Sequence, residues 1–345
     1  MNKEDYQKLN SYLNEIFKYM EEEDKFLLEN YNLIFLLSEK LYNKLQDIDT
    51  EYYQVTNDLT FMDVYNIARE IIESINPIYL NSFDKIMNNG ELNFSFNGEE
   101  DNYFLNLDDK NVGLINIMRE YNYQDVIKLV HEFAHYINIK GKKQTNIGYI
   151  LEEFIARKFE LYAIKYLMDK EIPEVEINPH VTVDLLLDDL YNFIYSYPLL
   201  VSYYNIGSID EKTSDLFSKY FYKIDKDNFE WYCNNVLEKF KITESECVNA
   251  SMEDDENINS MDIVMEQSKY LNDGYRYILG GMIAFYDFDI NCIIDITDNI
   301  NTKKYESTSL FEFLNMLNID ITTDDFINKV MHNISDFVNK NSKKR

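Results

Sequence analysis

Proline and glycine are scarce in this chain, four and nine among 345 residues. So few chain breakers favour long helices with short connections over a turn-rich β architecture. Cysteine is rarer still. Cys233, Cys247 and Cys292 are odd in number, far apart and unpatterned, which argues against a disulfide framework or a thiolate metal site. Positive charge is also short, with 33 Lys and Arg against 62 Asp and Glu and a net charge of −29. That balance disfavours nucleic-acid backbones and anionic membrane surfaces as partners, and it would draw in cationic peptides kinetically. The longest apolar runs, near Leu33–Leu37 and Tyr277–Tyr286, fall far short of a bilayer span. Met1-Asn-Lys-Glu-Asp5 has no apolar core of a signal peptide. The expectation is a soluble, cytoplasmic chain, with no preference set for its oligomeric state.

What is present is ample material for a core: 46% hydrophobic and 15% aromatic residues. The length allows two domains or one large one. Tyr6, Leu9, Leu13, Ile16, Phe17 and Met20 recur at helical spacing, and a second run goes from Phe26 through Leu41 and Leu45. Thr60-Phe-Met-Asp63 has the form of a helix-capping sequence. The helix it opens places Phe61, Val64, Ile67, Ile71 and Ile72 on one side, and Asn76-Pro77 breaks it. Another helix runs toward Asn88-Asn89-Gly90. The clearest β signal follows. Leu92-Asn-Phe94-Ser-Phe96 alternates, Asn97-Gly98 is a hairpin-type turn, and Tyr103 to Leu107 forms the second arm. Downstream, Pro173 to Pro179 reads as a loop, and helices rich in Tyr and Phe extend from 183 to about 250 with breaks near Pro198 and Gly207. Two more helices meet near Asp320–Thr323. His180 and His332 read as structural or incidental rather than as ligands.

Only four histidines occur in the chain, and two of them stand in the stretch Val126-Ile-Lys-Leu-Val-His131-Glu132-Phe-Ala-His135. This is H-E-x-x-H. At about 100° per residue, His131 and His135 lie roughly 40° apart on a helix and Glu132 points some 60° from His135. Two imidazoles one turn apart can share a zinc ion, and the adjacent carboxylate can take a proton from a water that the metal activates. Asp125 falls in the first turn of this helix, where a carboxylate is favourable.

A catalytic zinc needs three protein ligands, so the motif is incomplete by itself. The next helix, Tyr149 to about Leu167, offers Glu152 and Glu153. Glu153, Ala156, Glu160 and Ala163 share one face, and small residues between two acids would let this helix approach the zinc helix closely. Glu153 is the favoured third ligand with Glu152 as the alternative, and Glu160 is a candidate hydrogen-bond partner for one histidine. Further on, Tyr270, Tyr275 and Tyr277 crowd around Gly274 ahead of the pair Gly280-Gly281. A phenol beside a zinc site can donate to the oxyanion formed in hydrolysis.

Together these stretches resemble the thimet oligopeptidase and oligoendopeptidase F family of zinc peptidases. His131-Glu-Phe-Ala-His135 is similar to that family's H-E-F-G-H, with Ala134 at the common Gly. Glu153 to Glu160 is similar to its third-ligand segment, and Tyr270 with Tyr277 has the seven-residue spacing of its two catalytic tyrosines. The chain is far shorter than a full member, and Met265 stands near the place of a family histidine. The resemblance implies a mainly α, multi-helix zinc-peptidase fold with a small β-sheet or hairpin beside the H-E-x-x-H helix. It implies one Zn2+ per chain on His131, His135 and Glu153, Glu132 as general base, and Tyr277, Tyr270 and Tyr275 as oxyanion donors. The substrate is a peptide cut at internal bonds. The implied organisation is a helical N-terminal region over 1–90 and a zincin-like catalytic region over 91–345. Within it lie a β element at 91–110, the zinc helix at 123–139, the third-ligand helix at 149–167 and the tyrosine segment at 262–286. The alternatives are a non-catalytic zinc-binding relative that holds peptides or regulates, and a processing protease for one protein.

Overall fold

A computed structural model describes residues 25–45, 58–95, 102–107, 112–139, 146–206, 274–286, 310–321 and 323–342. The protein is mainly helical with one small three-stranded sheet. The chain divides into two compact units, Met1–Asp47 with Leu187–Tyr275 and Ile48–Leu186 with Arg276–Arg345. In the first, helix α1 (Lys25–Leu45) buries Ile34, Phe35, Leu37, Leu41, Tyr42 and Leu45, the continuation of the stripe that starts at Phe26. Among the described residues no helix is long and apolar enough to cross a membrane.

The second unit begins with a capped helix. The Thr60 hydroxyl accepts from the Asp63 amide at 3.2 Å, and the Asp63 carboxylate accepts from the Thr60 amide at 2.8 Å. Each side chain satisfies a backbone donor that the first helical turn leaves open. Helix α2 (Phe61–Ile75) then buries Val64, Tyr65, Ala68, Ile71, Ile72 and Ile75, whereas Phe61 and Ile67 are only half-buried. Asn76 turns extended before Pro77, a single 3-10 turn covers Pro77–Tyr79, and α3 (Leu80–Asn88) follows. The chain leaves α3 through Gly90 at φ 68°, a left-handed conformation that glycine adopts without steric cost.

The sheet differs from the hairpin that the alternation predicts. Strands β1 (Leu92–Ser95) and β2 (Tyr103–Leu107) are not neighbours, because β3 (Val112–Met118) lies between them in the order β1-β3-β2. β1 runs parallel to β3, pairing Leu92 with Ile115 and Phe94 with Ile117. β2 is antiparallel to it, pairing Tyr103 with Asn116 and Leu107 with Val112. The turn Asn97-Gly98 lies outside the described residues. A strand buried on both faces reads as a nearly continuous apolar run, and Val112-Gly-Leu-Ile-Asn-Ile-Met118 has that character but for Asn116, with Gly113, Ile115, Asn116 and Ile117 all buried. Ile115 and Ile117 are fully buried. Asn116, also buried, accepts from Asn93 at 2.6 Å and donates to Ser95 at 3.2 Å, so its amide is satisfied across the parallel pair.

Between β3 and the next helix, Asp125 gathers the connecting loop. It accepts from the amides of Glu120 (2.8 Å) and Tyr121 (3.0 Å) and pairs with Arg119 at 2.8 Å. Helix α4 (Tyr123–Ile139) carries the H-E-x-x-H residues, and α5 (Asn146–Asp169) packs along it. One side of α4 holds the core contacts. Phe133 meets the Phe83 ring edge-on at 4.9 Å and stacks on Tyr136 at 5.9 Å.

Where a loop is expected at Pro173 to Pro179, a single helical turn, α6 (Glu174–Ile177), is present. Helix α7 (Val181–Ile206) runs straight through Pro198 rather than breaking there. A proline inside a long helix removes one hydrogen bond and crowds the preceding turn, which usually kinks a helix or breaks it. This helix has enough length on each side to continue. Helix α8 covers 274–286, and α9 (Leu310–Met316) and α10 (Asp324–Ser342) meet across 317–323 as the sequence predicts.

Candidate metal centre

The H-E-x-x-H register works as the spacing predicts. Successive turns of α4 bring His131 and His135 together, with their Nε2 atoms 3.3 Å apart. The Glu153 carboxylate reaches them from α5, 3.5 Å from His135 Nε2 and 4.0 Å from His131 Nε2. The facing ligand atoms of the three residues all lie within 4.8 Å of one another. Glu152 is half-buried and does not join this group. Bonds of about 2.0–2.1 Å to a tetrahedral zinc put neighbouring ligand atoms about 3.3 Å apart, so these separations suit such an ion with little adjustment.

The chemistry of the donor set fits as well. Two neutral imidazole nitrogens facing each other with no proton between them repel, and a buried carboxylate beside them needs a partner. Among the described residues Glu153 Oε2 is buried without a hydrogen-bond partner. Burial pushes the Glu153 carboxyl upward from its ordinary value. His135 is driven well below its ordinary value by burial and by the neighbouring His131, which keeps it neutral, the state a metal requires. A divalent cation would supply the positive charge that these groups lack.

Glu160 orients the first imidazole. His131 Nδ1 lies 3.0 Å from Glu160 Oε2, so Nδ1 carries the proton and Nε2 turns its lone pair toward His135 and Glu153. Arg157 donates to the same oxygen at 2.9 Å, and the Thr182 hydroxyl donates to Oε1. Burial acts to raise the Glu160 carboxyl, yet Arg157, His131 and Thr182 outweigh it and hold the group at about 2. For His131 burial works downward, but the Glu160 hydrogen bond and the Glu132 and Glu160 charges raise it overall. Thr182 is brought in by the turn before α7, which Gln124 ties to α4 by donating to the Ile177 and Asn178 carbonyls.

Glu132, buried beside the pair, is pushed up to about 7, mainly by its removal from water and further by Glu153. A carboxyl near neutrality can both take and give a proton.

Of the predicted tyrosines, two lie among the described residues. Tyr270 lies outside the described residues, as does Met265. Tyr275 is buried and belongs to the first compact unit. Tyr277 is half-buried on α8, and Arg276 donates to its hydroxyl at 2.9 Å while lying over its ring. Arg157, Thr182 and Arg276 went unrecognised in the sequence. Arg157 left a faint signal, a base three residues before an acid on one helix, whereas Thr182 left none.

No family model matches the sequence, and neither does any curated protein. Among solved structures the chain is similar to Pz peptidase A with an inhibitor, at 11% identity and a TM-score of 0.48, over 99% of this chain and 59% of that one. It is also similar to a protein described as an oligoendopeptidase F, at 12% identity and a TM-score of 0.47, over 98% of this chain and 58% of that one. The chain thus spans less than two thirds of either protein's length.

Proposed function

We propose that this chain is a zinc-dependent metallopeptidase that hydrolyses internal bonds of oligopeptides. One observation carries the reading: two imidazole Nε2 atoms and a buried carboxylate converge from two helices, with a second buried carboxylate, Glu132, next to the first ligand. A site with a merely structural role has no use for that fourth group.

His131, His135 and Glu153 would hold the ion. Bound there, zinc supplies Lewis acidity, which acidifies water and polarises a peptide carbonyl. Glu132 takes the proton from the attacking water and delivers it to the departing amine nitrogen, a pair of transfers that suits a carboxyl poised near neutrality. Glu160 keeps His131 in the tautomer whose Nε2 is free to ligate. Tyr277, whose oxygen accepts from Arg276, would serve as the donor to the oxyanion. The excess of acidic residues favours approach by cationic peptides.

Glu132→Gln tests the mechanism. The variant keeps about one zinc per chain and loses peptide hydrolysis by about 10²–10⁴-fold, read by mass spectrometry of a mixed peptide library with and without chelator. Hydrolysis that persists in zinc-replete Glu132→Gln sinks the assignment of the base. A wild-type protein that binds zinc and cuts nothing in the library sinks the peptidase reading.

A further inference from the structure

The third ligand is held differently from the residues around it. Glu160 is fixed by three donors, whereas Glu153 Oε2 has no hydrogen-bond partner among the described residues. The direction of the Glu153 carboxylate therefore depends on how its stem and backbone are packed. What lies against that stem is the backbone of α8. A Cβ placed on Gly280 would come 2.6 Å from Glu153 Cβ, 2.8 Å from the Phe154 nitrogen and 3.0 Å from the Glu153 carbonyl carbon. The last two are main-chain atoms of α5 and cannot swing aside.

A second contact sets the register. One turn earlier on both helices, the Arg276 guanidinium lies over the Tyr149 ring at 5.4 Å. Tyr149 faces Arg276 and Glu153 faces Gly280, four residues on in each chain segment. Arg276 and Gly280 lie one turn apart on one face of α8, and Tyr277 stands three residues before Gly280. The adjacent Gly281 has a milder neighbour: its Cβ would meet the Leu186 Cδ1 methyl at 3.1 Å, the far end of a flexible side chain. Glycine inside a helix is unfavourable compared with alanine, so the close approach at 280 is the physical reason for it there.

We propose that Gly280 is a positioning residue for the metal centre. It seats α8 directly on Glu153, and so sets the carboxylate's distance from the two imidazoles and holds Arg276 over Tyr149 one turn away. This rests on the zinc reading given above. A methyl group at 280 must separate α8 from α5, and the Oε2 of the ligand it displaces has no hydrogen-bond partner among the described residues to bring it back.

The test compares Gly280→Ala with Gly281→Ala in the full chain, using chelator competition for zinc affinity and the visible absorption of the Co2+-substituted protein for ligand geometry. Gly280→Ala should weaken zinc binding by about tenfold or more and change the Co2+ spectrum. Gly281→Ala should stay within about twofold of wild type with an unchanged spectrum. In a Glu153→Gln background, where the ligand is already lost, adding Gly280→Ala should change the residual affinity by no more than about twofold. Unchanged affinity and spectrum in Gly280→Ala, or an equal loss in the Glu153→Gln background, overturns the proposal. If Gly280→Ala fails to fold, hydrogen exchange on the wild type decides. Added zinc should protect amides of 278–284 together with those of 150–156, and protection confined to α4 and α5 overturns it. A wild-type chain that binds no zinc overturns the metal reading and this inference with it.

Discussion

Replacing Glu160 with Gln measures how much the site depends on a carboxylate that is not itself a ligand. In the native site Oε2 accepts from His131 Nδ1 at 3.0 Å and from Arg157 at 2.9 Å, and Oε1 accepts from Thr182. Gln keeps the shape but has a single acceptor oxygen. Its best orientation leaves that oxygen in the Oε2 place and turns the amide nitrogen toward Thr182, whose hydroxyl can rotate to accept. The hydrogen bond to His131 survives, so what disappears is the charge. A charge-assisted hydrogen bond is roughly twice as strong as a neutral one worth about 1 kcal/mol net. The loss is then about 1–2 kcal/mol, or about tenfold in zinc affinity, the low end of the range for partners of metal-binding histidines. Chelator competition at neutral pH reads it directly. Zinc affinity within about twofold of wild type would refute the reasoning. Acid titration of the metal-free protein adds a sign. Glu160 is held at about 2 against an ordinary 4.5, so its contribution is complete above the ordinary value and is lost as pH falls toward 2. The melting-temperature advantage of wild type over Glu160→Gln must therefore shrink across that interval, and an advantage that grows as acid is added contradicts the assignment.

Three further outcomes are expected. Chelator should lower the melting temperature of wild-type protein, since free zinc at a hundred times Kd stabilises by about 2.7 kcal/mol; calorimetry with and without chelator checks it. Phe133→Ala empties a fully buried aromatic contact between α4, Phe83 and Tyr136, and should cost about 3–5 kcal/mol in urea denaturation. Gly113→Ala would press a methyl to 2.5 Å from the Phe104 ring and 3.0 Å from Tyr136. The rings can shift only partly, and a loss of about 1–3 kcal/mol should appear in the denaturation midpoint.

The helices were legible because each carries its evidence within itself. The stripe from Val64 to Ile72 and the reciprocal cap at Thr60 and Asp63 need no distant partner to be recognised, and both stand in the structure. The sheet was only half legible for the opposite reason. Strand alternation shows that Leu92 to Phe96 and Tyr103 to Leu107 are extended, but pairing is a relation between segments. The turn residues at 97–98 suggested the local pairing. The burial of Ile115 and Ile117, with an Asn116 side chain satisfied by Asn93 and Ser95, favours the non-local one. Pro198 misled in a similar way, because a local penalty of about 3 kcal/mol was read as a boundary without the rest of a 26-residue helix to set against it.

At the candidate site the same division recurs with a chemical consequence. Residues that act through helical phase could be found from spacing alone: His131 with His135, and Glu153 with Glu160. Of their separations in space, the 3.3 Å between the imidazole nitrogens follows from successive turns of one helix, and the 3.0 Å from His131 to Glu160 from two helices packed side by side. Residues that act by closing a gap between helices could not be found so. Thr182 reaches Glu160 across 22 residues of sequence, and Gly280 meets Glu153 across many more. A glycine has no side chain whose chemistry could announce a role; its contribution is the space it leaves. The sequence motif thus names the atoms that can bind a metal, while their distances depend on residues chosen for size and reach. If that division is right, substitutions at Thr182 and Gly280 should change zinc affinity although no ligand residue is replaced, and substitutions at Glu132 should change hydrolysis while leaving affinity alone.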